Sequence, residues 1–231
     1  MSEPVTAEVD HLVVACASLE QGVAWCEAAL GVTPGPGGKH ALMGTHNRLL
    51  HVGSGPWPRA YLELIAIDPQ APPPARRRWF GLDDAALQAR LKEAPRLIHW
   101  VAGVRDLDAA CRAWASRGLE PGPAVAAERA TDAGVLRWRL TVRDDGQLLC
   151  AGALPTLIEW QERHPVDAMA PSGVTLQALE LASPSPVLAE ALAVLRAAGV
   201  QCRAHGSALE AVLRTSRGEI RLSSDPAESL D

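Results

Sequence analysis

The sequence predicts an α+β protein built from repeated βαβββ modules, with a third, partial βαββ module at its end. Three observations carry this. Two apolar, strand-like runs each hold one histidine, a capped helix and a Pro-Gly-Pro turn follow each of them, and a further strand–helix–strand pattern begins near residue 175. The modules fall at residues 1–68, 96–162 and 163–231, and residues 69–95 form a connector that carries a short helix.

The elements follow in order. Val9-Asp10-His11-Leu12-Val13-Val14-Ala15 is matched by Leu97-Ile98-His99-Trp100-Val101-Ala102-Gly103, with the histidine third in each run. Ser18-Leu19-Glu20-Gln21 has the pattern of a capping box, and Asp106 is a good N-cap for the second helix. Leu19, Val23, Cys26 and Leu30, then Leu107, Cys111 and Trp114, keep helical spacing. Both helices stop at a glycine, Gly31 and Gly118, and Pro34-Gly35-Pro36 corresponds to Pro121-Gly122-Pro123. Strands are expected over 47–52 and 61–67 in the first module, and over 125–129, 135–142 and 154–161 in the second. The connector opens Pro-rich, with Pro72-Pro73-Pro74, continues through Arg76-Arg77-Arg78-Trp79-Phe80 and enters a helix over 82–92. In the third module a strand over 175–181 and a helix over 186–198 lead to closing strands over 208–213 and 217–222. No histidine stands at the matching place there, which assigns that module a structural role.

Of the 231 residues, 48% are hydrophobic and 21% charged, which is enough apolar material for a sizeable core. The net charge of −5 argues against a nucleic-acid partner. No apolar run reaches the ~20 residues of a membrane helix. The N-terminus lacks the basic-then-apolar pattern of a secretory signal, and five scattered cysteines without a Cys-x-x-Cys pair read as reduced thiols. The expectation is a cytoplasmic protein that meets neither nucleic acid nor membrane.

The chemistry is expected where polar residues interrupt apolar strands. His11 and His99 track the repeat, which core histidines have no reason to do. Tyr61-Leu62-Glu63-Leu64-Ile65 and Thr156-Leu157-Ile158-Glu159-Trp160 each hold one carboxylate among apolar neighbours. Such a carboxylate is costly to bury unless it is paired, protonated or bound to a metal. Two imidazoles and two carboxylates, one of each per module, suit a borderline divalent ion if the modules pack about a pseudo-twofold axis.

The opening Val9-Asp10-His11-Leu12-Val13-Val14 strand, the Gly44-Thr45-His46-Asn47-Arg48-Leu49-Leu50 stretch, the Tyr61–Ile65 strand and the Arg78-Trp79-Phe80-Gly81-Leu82 connector resemble the glyoxalase-like branch of the vicinal-oxygen-chelate superfamily. The resemblance covers roughly residues 8–162 and implies a cupped mixed sheet around one divalent ion (Zn, Ni, Co, Mn or Fe). The implied ligands are His11, Glu63, His99 and Glu159, with Glu159 or Glu63 as the proton-moving base.

His46 and Asn47, at a loop–strand junction facing the cup, and Trp79 and Phe80, as a lid, are the expected substrate contacts. Trp100 and Trp160 are expected on the opposite sheet face, His40 and His51 at the surface, and Cys16 and Cys26 in the core. The expected function is a metal-dependent isomerase, epimerase or lyase. It would act on a small substrate with neighbouring oxygens through an enediolate-type intermediate. The alternatives are a metal-free small-molecule binding protein of the same fold, in which His11 and Glu63 pair with each other, and an extradiol-type dioxygenase. The modules pair within one chain, or else across a homodimer.

Overall fold

The computed structural model describes residues 5–131 and 134–224. The first half runs β1 (Ala7–Ala15), α1 (Leu19–Leu30), β2 (Lys39–His40), β3 (Thr45–His51) and β4 (Tyr61–Ile67). A connector follows, with a 3₁₀ turn (Trp79–Gly81) and α2 (Ala85–Leu91). The second half runs β5 (Arg96–Val104), α3 (Leu107–Ala115), β6 (Ala124–Thr131), β7 (Gly134–Thr141) and β8 (Thr156–Trp160).

These eight strands form one curled sheet in the order β2-β3-β4-β1-β5-β8-β7-β6. The order is the same read outward from either side of the centre. Each half runs first, fourth, third, second strand, with β1 and β5 antiparallel in the middle. Parallel pairing of β1 with β4, and of β5 with β8, sets the first and last strand of each half side by side.

The local signals read from the sequence produce these helices. The Ser18 side chain accepts from Gln21 N–H at the start of α1, and Gly31 (φ 77°) ends it in the left-handed region. Asp106 caps α3 by accepting from Ala109 N–H. The connector helix begins later than expected. Asp84 caps it, while Asp83 is drawn back to bond Arg78, so 82–83 belong to the preceding turn.

Two interrupted ladders matter for the site. Along β1–β5, Val9 faces Ala102 but His11 faces Val101, so Asp10 is an extra residue. On the other strand Val13 faces His99 but Val14 faces Leu97, so Ile98 is extra. Each histidine therefore follows a β-bulge, which turns the bulged residue and its neighbour towards the same side.

One apolar core lies on the outer face of the sheet. Leu12, Val14, Leu62, Leu64, Trp100 and Leu157 meet Cys26 and Leu30 of α1 and Leu107 and Trp114 of α3 there. The second fills the inner face, where the connector residues Trp79, Phe80, Leu82, Leu87 and Leu91 cover Val13, Ile65, Val101, Trp138 and Ile158.

The last segment departs from a partial βαββ repeat. It forms β9 (Thr175–Ala182), α4 (Pro186–Leu195), β10 (Val200–Arg203), β11 (Leu209–Thr215) and β12 (Gly218–Ser223), a separate sheet in the order β10-β9-β11-β12. Three strands follow its helix, and its first strand pairs parallel with the strand that comes straight after that helix. The short α4 returns the chain directly beside β9, so the last strand is displaced to the edge instead of pairing with the first. Among the described residues no helix is long and apolar enough to cross a membrane.

Candidate functional site

The site is built on β1. Regular alternation would set Asp10 and His11 on opposite faces, but the bulge turns both inward. His11 Nδ1 lies 2.6 Å from Asp10 Oδ1, and the imidazole stacks on Tyr61 with ring centroids 4.6 Å apart. Asp10 Oδ2 accepts from Trp160 Nε1 at 2.8 Å and from His164 Nε2 at 3.0 Å. His164 Nδ1 itself accepts from Val166 N–H, which fixes the proton on Nε2 and makes it a donor to Asp10. Gly103 leaves room for this carboxylate, because a Cβ there would lie 3.1 Å from Asp10 Oδ2. Burial alone would raise the Asp10 pKa. Hydrogen bonds and charge interactions with His11 and His164 outweigh it and hold the carboxyl well below its ordinary value.

Glu63 enters from β4. Its Oε1 accepts from Asn47 Nδ2 at 2.6 Å, and its Oε2 stands 3.7 Å from His11 Nε2. Asn47 is oriented by its other end, where Oδ1 accepts from Gly38 N–H at 2.8 Å and from Arg129 Nη1 at 3.1 Å. His11, Glu63 and Asn47 are all buried. With His40, Tyr61, Trp79, Phe80, Arg129, Trp138 and Trp160 they line a cavity on the inner face with about 30 Å³ of free space.

The four expected metal ligands do not converge. His99 faces inward, but both ring nitrogens are spent. Nε2 accepts from Thr156 N–H at 3.0 Å, and Nδ1 therefore carries the proton, which it gives to Gly152 O at 2.9 Å. Burial pushes the His99 pKa down to about 3, so the ring is neutral. Glu159 points the other way. Its Oε2 accepts from Leu107 N–H at 2.9 Å, at the start of α3, and lies 3.7 Å from Arg139. The cause is register. Leu140 of β7 faces Ile158 and Arg139 faces Glu159, so Ile158 is on the inner face and Glu159 on the outer. Only His11 Nε2 and Glu63 remain as donors facing one space, and a tetrahedral or octahedral ion needs more. Among the described residues no group of three or more His, Cys, Asp and Glu is arranged to hold a metal. The residues present do not fit the divalent ion that the resemblance implies.

Other expected contacts divide. Asn47, Trp79 and Phe80 line the cavity, and Phe80 adopts φ 59°, a strained conformation for an aromatic residue that clusters at functional sites. His46 does not line it; its charged neighbours are Asp68, Lys39, Glu20 and Arg48. Trp100 packs on the outer face as expected, but Trp160 turns inward to Asp10. His40 is not a surface residue. It lines the cavity, and burial pushes its pKa down to about 3. Sequence reasoning misses Asp10, Trp160, His164 and Arg129 as site residues. An aspartate next to the strand histidine is the one local signal for them, and regular alternation argues against it.

This is an α+β protein with a curled eight-stranded sheet and a buried Asp–His–Glu constellation on its inner face. The glyoxalase-like domain family model matches residues 9–198, so the chain belongs to that family, within the vicinal-oxygen-chelate superfamily. Among solved structures, a hypothetical protein from Staphylococcus aureus is 16% identical, with a TM-score of 0.59 over 95% of this chain and 86% of that one. Methylmalonyl-CoA epimerase from Mycobacterium tuberculosis is 18% identical, with a TM-score of 0.41 over 73% of this chain and 97% of that one. A variant of the Streptomyces coelicolor methylmalonyl-CoA epimerase, in complex with 2-nitronate-propionyl-CoA, is 20% identical, with a TM-score of 0.44 over 69% of this chain and 98% of that one. No curated protein matches the chain.

Proposed function

We propose that this protein is a proton-transfer enzyme of the isomerase or epimerase type, working at a carbon next to a carbonyl, with His11 and Glu63 as its acid–base pair. The observation that carries the reading is the 3.7 Å approach of His11 Nε2 to Glu63 Oε2 inside a cavity. Asp10 holds the Nδ1 proton, so Nε2 faces the cavity. The two groups face the same small space, one to take a proton as the acceptor and the other to give one as the donor. A substrate C–H lodged there loses its proton to the acceptor. The donor stabilises the enolate oxygen, and the proton returns to the same carbon or its neighbour. Asp10 carries the charge of the imidazolium without itself being protonated, because three donors hold it ionised.

The test is C–H to C–D exchange in D₂O, followed by NMR over a panel of 2-oxo acids, hemithioacetals and acyl thioesters. Exchange next to the carbonyl in at least one compound is expected, reduced roughly 10²- to 10⁴-fold in His11→Gln, the usual scale of a lost acid–base group. Dialysis against EDTA is expected to leave the rate unchanged. Loss on chelation with recovery on adding a divalent ion would overturn the metal-free assignment. Binding without exchange across the panel would favour the small-molecule binding protein.

A further inference from the structure

We infer that the substrate bears a carboxylate and that Arg129 receives it. This rests on the proton-transfer reading of the cavity and adds the substrate class to it.

Arg129 projects from β6 into the cavity beside Asn47. Its Nη1 donates to Asn47 Oδ1, while its Nε is buried and unpaired. The residue is only partly buried, and among the described residues no carboxylate stands within ion-pair distance of its guanidinium, Glu63 acting on it from farther off. Burial lowers its pKa, and the opposing pull of Tyr61 and Glu63 does not restore it. A second buried donor without a partner belongs to a residue that lines the same cavity. Trp79 is 5% exposed, lines the cavity, and its indole N–H has no acceptor. An unmade hydrogen bond on a buried donor is costly, and a guanidinium bonds an anionic oxygen more strongly than a neutral acceptor.

The cavity is thus divided by chemistry. His11 and Glu63, with Asp10 behind the imidazole, hold the proton-moving end, and Arg129 marks the donor end. The single Asn47 side chain separates them, giving its N–H to Glu63 and its oxygen to Arg129. The acidic C–H and the carboxylate must then belong to one short molecule, a few bonds apart. Histidine does not compete for the anion at the donor end, because burial keeps His40 neutral. A short oxo acid meets these demands, and a neutral carbonyl compound lacks the charge that complements the guanidinium.

The experiment titrates pyruvate, 2-oxobutyrate and malonate, each against its uncharged amide, and follows the fluorescence of the cavity tryptophans. At least one acid is expected to bind saturably while its amide does not. Arg129→Gln should weaken that binding roughly 10- to 100-fold, the scale of a lost charge-assisted hydrogen bond, and Arg129→Lys should weaken it less. Matching thermal melts exclude misfolding of the variants. Equal binding of acid and amide, full binding by Arg129→Gln, or no binding of any acid to the wild type overturns the inference. His11→Gln separates it from the functional reading, because acid binding should persist there while exchange is lost. Arg129-dependent binding without exchange in the wild type would overturn the proton-transfer reading alone. Exchange that ignores Arg129 would overturn the carboxylate site alone.

Discussion

Asp10 and Ile98 are the same structural residue in the two halves, and their difference decides where the chemistry lies. Both are bulged, and both precede a buried histidine. In the first half the bulged side chain is a carboxylate that fixes the His11 tautomer and frees Nε2. In the second it is an isoleucine, so His99 turns to Gly152 O and Thr156 instead. His99 and His40 carry a further consequence. Burial pushes both pKa values down to about 3 from 6.5, so the unfolded chain binds more protons than the folded one between those values. Stability should therefore fall as pH drops below 6.5, by up to about 1.4 kcal/mol per pH unit for each histidine. Urea midpoints from pH 7 down to about 4.5, above the normal aspartate range, should show this slope, and His99→Gln should flatten it. A flat wild-type profile would show that these rings protonate freely in the fold.

At the scale of elements, β8 separates two roles that one strand could have combined. Its inward residues, Thr156, Ile158 and Trp160, serve the cavity and His99, while outward Glu159 serves α3. A carboxylate at a helix N-terminus accepts an otherwise unpaired N–H and complements the helix dipole. Glu159→Gln should cost about 1 kcal/mol in urea unfolding and leave proton exchange and acid binding unchanged. If exchange falls instead, Glu159 belongs to the machinery and the register argument fails. The connector plays the matching role on the inner face. Its 3₁₀ turn sets Trp79 and Phe80 over the strands, and the left-handed Phe80 backbone makes that turn sharp enough.

The whole molecule is braced by its last segment. That unit shares the outer core with the large sheet, α1 and α3. Trp57, from the loop between β3 and β4, is 2% exposed and donates to Ala198 O at 2.7 Å. Gly199, at φ 76°, leaves space for it, since a Cβ there would sit 2.8 Å from the Trp57 ring. Ser54 bonds Leu176 O, and Leu176 N–H bonds Val52 O, so the same loop anchors β9 through its backbone. Trp57→Ala should cost roughly 3–5 kcal/mol. Amide exchange should rise first in residues 175–223 and leave β1 and β5 protected. A uniform rise would mean that both sheets unfold as one unit.

The α+β class, the curled mixed sheet and the capped helices were legible because they rest on local signals: strand periodicity, Ser18 and Asp106, and Gly31. Burial of His11 and Glu63 side by side follows from their places in apolar strands, where the sequence marks both as candidates. The rest of the site depends on tertiary structure. A bulge at Asp10 and a register that turns Glu159 outward each change the sheet face of a side chain by a single-residue shift, and no local composition records that shift. His164, Trp160 and Arg129 reach Asp10 and Asn47 across 154, 150 and 82 residues of chain. Residue types and spacing determined which groups were available for chemistry. Only the packing of the two halves decided which of them share a cavity, because a hydrogen-bond network is fixed by distances of a few ångströms that the chain sets only after it has folded.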